Sequence, residues 1–203
     1  HVKLAAMCAF GVAAVFGLVL VIVTTWVILL VGVAAILAGW FYTGGKNPYG
    51  YFGLGEVFVF VFFGLVATVG TTFVVLERMP ALSWLMGTSV GCLACALLVI
   101  NNLRDIPTDR VVGKRTLAVR LGDQRTRYLY VALMVLGVLS GTCGAFSNPW
   151  LLLVLATGIF VMLPISKVRG GATGKDLIEV LGDTGRSQLI LGVLVTVAFI
   201  IGG

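Results

Sequence analysis

Between Leu4 and Tyr42 the chain runs 39 residues without a charged side chain. At about 1.5 Å per residue, one helix of that length would cross a roughly 30 Å hydrocarbon core twice over. The stretch therefore predicts two helices folded back on one another, with Thr24-Thr25 as the turn. Further apolar runs follow at Val57–Leu76, Leu82–Ile100, Tyr128–Phe146, Trp150–Ile165 and Leu189–Ile201, the last two short for a crossing. The pattern predicts seven spans, an all-α polytopic transmembrane helical bundle in one domain over residues 1–203. Polar residues gather in alternate connections, Thr43–Glu56, Asn101–Arg127 and Lys167–Gln188, while Thr24-Thr25, Glu77–Ala81 and Ser147–Pro149 are tight turns. Gly87-x-x-x-Gly91 and Gly137-x-x-x-Gly141 have the small-residue spacing at which membrane helices approach closely.

Composition agrees with this reading. Hydrophobic residues make up 60% of the chain and charged residues 11%, against about 25% in a soluble domain. Mean hydropathy is +1.12. This excludes a soluble enzyme, a disordered tail and a nucleic-acid binder, although the net charge is +6. The charge is a topology signal instead. Thirteen of the 14 basic residues fall on the face of the long connections, and Arg78 alone falls on the other. The positive-inside rule makes the crowded face cytoplasmic, and with seven spans the carboxyl end lies outside. Cys8, Cys92, Cys95 and Cys143 all sit in apolar stretches and read as small packing residues rather than a disulfide or zinc framework. The only histidine is His1, standing where an initiator methionine would, so the chain is expected to begin partway through a longer reading frame.

The densest polar cluster, Asn101-Asn102-Leu103-Arg104-Asp105-Ile106-Pro107-Thr108-Asp109-Arg110, starts where an apolar span ends. Asn101, Asp105 and Asp109 recur at i, i+4 and i+8, so on a helix two carboxylates and an amide share one face. Pro107 implies a kink between the two acids. Like-charged carboxylates one turn apart repel, and a divalent cation is the simplest way to hold both ionised beside a membrane. Oxygen-only ligands favour Mg²⁺, which borrows further ligands from a substrate phosphate. Lys114, Arg115 and Arg120 add donors suited to a diphosphate. A P-loop is excluded, because Thr108 stands where its first glycine belongs and Arg115 where its Ser or Thr belongs. Arg125 and Arg127 suit a lipid-headgroup role.

The loop from Thr43 to Glu56 holds five glycines and two tyrosines, with Tyr42 just before it. Glycines let backbone approach a ligand, and tyrosines offer a flat face with a polar handle. A small aromatic acid could be received at Tyr49 and Tyr51 with its carboxylate near Lys46, although a plain connector reads the same way. Lys175, Asp176, Glu179, Asp183 and Arg186 read as a solvated interfacial stripe in preference to a second metal site, and Glu77 with Arg78 needs no function.

Asn101-Asn102-x-Arg104-Asp105-x-x-x-Asp109-x-x-x-Gly113-Lys114-Arg115-Thr116-Leu117-Ala118-Val119-Arg120-Leu121-Gly122 resembles the second aspartate-rich motif of the UbiA-type intramembrane prenyltransferases. Tyr42-Thr43-Gly44-Gly45, Pro48-Tyr49-Gly50-Tyr51 and Gly53-Leu54-Gly55-Glu56 are similar to a stretch of the branch that makes menaquinone precursors from 1,4-dihydroxy-2-naphthoate. The resemblance implies nine helices around a central cavity, of which this chain would supply the third to the ninth. The first two helices and the first aspartate motif, unmatched here, are expected upstream of His1. It implies that Asp105 and Asp109 carry the chemistry by binding Mg²⁺ on a polyprenyl diphosphate, with Asn101 on the metal and Asn102, Arg104, Lys114 and Arg115 supporting metal and diphosphate. The implied reaction is prenylation of 1,4-dihydroxy-2-naphthoate with decarboxylation, giving demethylmenaquinone, diphosphate and CO₂ at the cytoplasmic face of a bacterial inner membrane. Two alternatives stay open: a sibling enzyme with another acceptor such as 4-hydroxybenzoate, and a transporter of an anionic substrate with Asp105 and Asp109 as a coupling-ion site.

Overall fold

The computed structural model describes residues 2–46 and 48–202; His1, Asn47 and Gly203 lie outside them. The helices are α1 (Val2–Val23), α2 (Val27–Thr43), α3 (Gly55–Leu76), α4 (Ala81–Val111), the short α5 (Leu117–Leu121), α6 (Asp123–Phe146), α7 (Pro149–Arg169) and α8 (Asp176–Gly202). Among the described residues there is no strand, and every one of these helices except α2 and α5 is long and apolar enough to cross a bilayer. With the 17-residue α2 the expected set of seven apolar helices is complete. In such surroundings a helix is the natural solution, since it satisfies its own backbone hydrogen bonds where no water can.

The long opening run breaks at Thr24-Thr25 as the pattern requires. Thr24 turns its hydroxyl back to the Leu20 carbonyl at 2.5 Å, and α2 returns along α1 with Gly39 against the Phe10 ring. Most other α1 side chains, among them Phe16 and Ile22, are exposed to the surroundings. That apolar exposure fits lipid and not water.

Three expectations need correction. The two spans expected to be short extend instead to Pro149–Arg169 and Asp176–Gly202. Hydropathy truncates them at polar ends that are nonetheless helical: Asp176 and Glu179 sit in the first turn of α8, where the helix dipole favours negative charge. The supposed solvated stripe is partly an ion-pair network. Lys167 Nζ lies 2.9 Å from Asp183 Oδ2 and 3.4 Å from Glu179, Arg186 reaches Asp183 at 3.3 Å, and the Asp183 side chain is only 13% exposed. Arg127, assigned to headgroups, instead bonds both oxygens of Asp123 at 2.7 and 3.0 Å and donates to the carbonyls of Val168 and Ala172 at 2.8 and 2.9 Å. It caps the carboxyl end of α7, whose last carbonyls lack helical partners.

The core is built on α4. Leu93, Ala96 and Ile100 are fully buried there, packed with Tyr130 and Met134 of α6, Leu151 of α7 and Leu191 of α8. Cys92 and Cys95 are buried, as packing residues should be, whereas Cys8 and Cys143 are exposed and do not pack in the core. Small residues set the spacing. Between Phe60 and Val66, α3 widens into a π-helical turn that brings Gly64 against Gly87 and Gly91; a Cβ on Gly64 would stand 2.5 Å from the Gly91 Cα and 2.7 Å from the Gly87 carbonyl. Across the other side of α4, Ser89 donates to the Gly137 carbonyl at 2.7 Å. Both glycine spacings singled out from sequence are thus helix contacts.

Gly64→Ala should therefore force α3 away from α4, with an expected loss of about 1–3 kcal/mol from overpacking. Gly70→Ala, also in α3 but with nothing within 4 Å of its Cβ, should be neutral or slightly stabilising. Thermal unfolding of the two variants in one detergent checks the contrast, and equal Tm values would refute the tight contact.

Candidate functional site

The site begins where α4 leaves its apolar neighbours. The helix continues through Pro107 to Val111, so Asn101, Asp105 and Asp109 remain on one helix. Asn101 and Asp105 share a face as their spacing requires, because one side chain joins them. Arg104 donates to the two Asp105 oxygens at 2.8 and 3.1 Å and to Asn101 Oδ1 at 2.9 Å. Such a bidentate, charge-assisted pair fixes the carboxylate's direction.

Asp109 is buried, with 6% exposure. The chain reverses immediately after it through Gly113, whose φ of +76° few other residues tolerate. The amides of Gly113 and Lys114 donate to the carbonyls of Arg110 and Asp109 at 3.3 and 2.9 Å, the double bond pattern of a Schellman cap. This turn brings Lys114 Nζ to 3.3 Å from Asp109 Oδ1 and 4.9 Å from the centre of the Tyr51 ring. The hydrogen bond to Asp109 is the main reason that Lys114 holds its proton to higher pH than an ordinary lysine; the Asp105 charge adds a small push in the same direction.

The tyrosine-glycine loop docks on this turn. Arg115 N donates to the Tyr51 carbonyl at 2.9 Å, and a Cβ at Gly53 would lie 3.1 Å from Leu117 N. Arg120 Nε bonds the Arg115 carbonyl at 3.1 Å. Lys46, Tyr51, Arg115 and Arg120 consequently line one cationic pocket of about 280 Å³, opening beside the Lys114–Asp109 pair. Thr116 caps α5 through Val119 N.

Tyr49 does not join this group. Its ring stacks on Phe58 at 3.9 Å between centroids, and its hydroxyl donates to the Ala38 carbonyl at 2.7 Å. It lines a separate, almost wholly apolar cavity of about 670 Å³ between α1, α2 and α3. Asn102 also faces elsewhere than expected: its amide donates to Glu56 Oε1 at 3.0 Å. A second apolar cavity of about 380 Å³, lined by Val59, Phe63, Leu98 and Asn101, runs down from the polar cluster between α3, α4 and α8.

Glu56 stands in the Gly53-Leu54-Gly55-Glu56 stretch without a role that the sequence assigns to it, yet it is buried with 8% exposure. The available signal was its isolation, since no other acid precedes Glu77.

Two carboxylates, an amide and at least four cations thus gather at one end of an apolar bundle, directly above cavities that polar solutes do not suit. That arrangement defines a multi-pass membrane protein with a charged site at one end of an apolar bundle. The chain matches the UbiA prenyltransferase family over residues 2–176. It is 43% identical over 199 residues to the 1,4-dihydroxy-2-naphthoate octaprenyltransferase of Mycobacterium tuberculosis, covering 98% of this chain and 68% of that protein. The proteins of the same description from Bacillus subtilis and Escherichia coli are 26% identical over 97% of the chain and 43% identical over 53% of it, spanning 64% and 35% of their own lengths. No solved structure matches. The chain belongs to the UbiA prenyltransferase family, and is an all-helical membrane prenyltransferase.

The Asp109–Lys114 contact gives a titration test. A lysine with a raised pKa contributes its pairing fully below the ordinary lysine range of about 10.4 and loses it only as pH climbs past its folded value. Asp109→Asn should return Lys114 toward the ordinary range. NMR of ¹³C-methylated lysines reads this directly, and a Lys114 resonance that titrates identically in both proteins would refute the contact.

Proposed function

We propose that the chain transfers a polyprenyl group from polyprenyl diphosphate to 1,4-dihydroxy-2-naphthoate, replacing the naphthoate carboxyl and placing the reaction in menaquinone biosynthesis. The relatives' names support the acceptor. The observation that carries the reading is the clustering of Asn101, Arg104, Asp105, Asp109 and Lys114 at the polar mouth of apolar cavities. In the proposed reaction the allylic C–O bond breaks and its electron pair leaves with diphosphate. The acceptor's ring carbon then attacks the allyl cation, and CO₂ departs leaving its bonding electrons in the ring, so the product stands at the hydroquinone level of demethylmenaquinone.

Each part of the site has a task in this scheme. Asn101, Asp105 and Asp109 present oxygen donors only, a set that fits Mg²⁺. Among the described residues no cluster of three or more His, Cys, Asp or Glu side chains exists, so the metal's remaining ligands would come from diphosphate, water or another segment. Bound there, Mg²⁺ would supply charge stabilisation for the departing diphosphate. Arg104 and Lys114 orient the carboxylates and neutralise developing negative charge, while Arg115 and Arg120 extend the cationic surface. Apolar walls at Val59, Phe63 and Leu98 shield the allyl cation from water. Lys46 and Tyr51, on the rim of the cationic pocket, suit the acceptor carboxylate.

We expect Asp105→Asn and Asp109→Asn each to cut Mg²⁺-dependent diphosphate release by roughly a hundredfold or more, the scale of losing a transition-state charge partner. An unchanged rate in either variant would remove that residue from the reaction. An acceptor panel with one prenyl donor separates naphthoate from 4-hydroxybenzoate as substrate. The cytoplasmic placement proposed for the site is supported by the thirteen basic residues that the sequence assigns to the face of the long connections. A cysteine placed at Lys175 should be shielded from membrane-impermeant thiol reagents in intact cells and one at Arg78 labelled; the reverse pattern would invert the topology.

A further inference from the structure

Glu56 lies in the first turn of α3, held at both ends. Its backbone carbonyl accepts from the Cys95 thiol at 3.0 Å, and its Oε1 accepts from the Asn102 amide at 3.0 Å. Its other oxygen, Oε2, is fully buried and has no hydrogen-bond partner among the described residues. Burying a carboxylate oxygen without a donor is costly, and such a group in a folded protein calls for a partner from outside the chain: a water, an ion or a ligand donor.

The surroundings say what kind of donor is missing. Val59 follows Glu56 by one turn on α3, and Leu98 precedes Asn102 by one turn on α4; both line the apolar cavity of about 380 Å³. The Glu56–Asn102 pair lies one helical turn beyond the walls Val59 and Leu98, next to Asn101, which lines the polar end of that cleft. A carboxylate in that position repels a diphosphate and attracts a hydroxyl or amine. A ligand with an apolar body and a hydroxyl donor matches both the walls and the end.

We propose that Glu56 is an acceptor-binding residue, its Oε2 accepting a hydrogen bond from a ring hydroxyl of the aromatic acceptor, with Asn102 as the residue that positions it. The inference rests on the prenyltransferase reading above and adds the acceptor's polar contact to it. It also orients the acceptor, since Glu56 repels the acceptor's own carboxylate, which must turn toward Lys46 and Lys114. Asn102 acts on the acceptor through Glu56 and not on diphosphate.

The test uses the full chain in lipid nanodiscs, with 1,4-dihydroxy-2-naphthoate and its 1,4-dimethoxy analogue as probes and a short allylic diphosphate as donor. The wild type should bind the dihydroxy compound at least roughly tenfold more tightly, as for a hydrogen bond to a charged group. In Glu56→Gln an amide donor replaces Oε2, and a methyl ether accepts from it as well as a hydroxyl does, so the preference should fall to within about twofold. The acceptor KM should rise while the KM for the allylic diphosphate stays unchanged. Glu56→Asp, which keeps the charge but draws it back by one methylene, should retain the preference at lower affinity. Equal binding of the two probes to the wild type, a preference that survives in Glu56→Gln, or a change confined to the allylic diphosphate KM would each overturn the proposal. Should the wild type prenylate 4-hydroxybenzoate and not naphthoate, the acceptor assignment fails, and Glu56 is judged by the same hydroxyl-to-methoxy ratio on that ring.

Discussion

A single helix has to satisfy two solvents. For its first turns α4 is enclosed by α3, α6 and α8 and carries small or apolar residues toward all of them; for its last three turns it carries Asn101, Asn102, Arg104, Asp105 and Asp109. The buried part anchors the polar part. Because Leu93, Ala96 and Ile100 cannot shift without opening the core, the direction in which Asp105 and Asp109 project is set by packing some turns away. Charges at a membrane surface are otherwise free to snorkel and wander. Here they are carried on a rigid element, as a site that must hold a reactive diphosphate requires.

The second layer of control is the docking of one loop on another. The Schellman cap after Asp109 returns Lys114 to its acid, and the Tyr51 carbonyl then receives Arg115 N. Backbone groups make these links, so they hold whatever the side chains are doing. The acidic and cationic halves of the site are consequently separate in sequence but continuous in hydrogen bonding, and a ligand that draws Lys114 away from Asp109 leaves the turn itself in place.

Much of this was legible in the chain. Hydropathy alone located seven apolar helices and the turn at Thr24-Thr25, and the i, i+4 spacing put Asn101 and Asp105 on one face, because both depend on local periodicity. What periodicity cannot show is pairing between distant segments. Arg127 reads as a surface cation until Val168 and Ala172 are seen to lie within its reach. Tyr49 reads as a ligand platform until Phe58 and Ala38 occupy its ring and hydroxyl. Asp176 to Gln188 drops out of the apolar run because its apolar content is low, yet it forms the first turns of α8, with Glu179 and Asp183 paired to Lys167. Glu56 was the least legible, since a single acid in a glycine-rich stretch has no spacing to betray a role.

The wide turn at Phe60–Val66 has one more consequence, concerning register. Glu56 and Gly64 are eight residues apart, and at roughly 100° per residue a regular α-helix would set them about 80° out of line. Both nonetheless face α4, one bonded to Asn102 and the other seated on Gly91. The π turn takes up that angular difference. It works as a phase shifter in α3, letting one rod meet the polar end of its neighbour with a carboxylate and the apolar middle with a glycine. Deleting any one residue from the turn would restore a uniform helix and swing Glu56, with the docked loop before it, away from Asn102, leaving the composition and hydropathy of the span almost untouched.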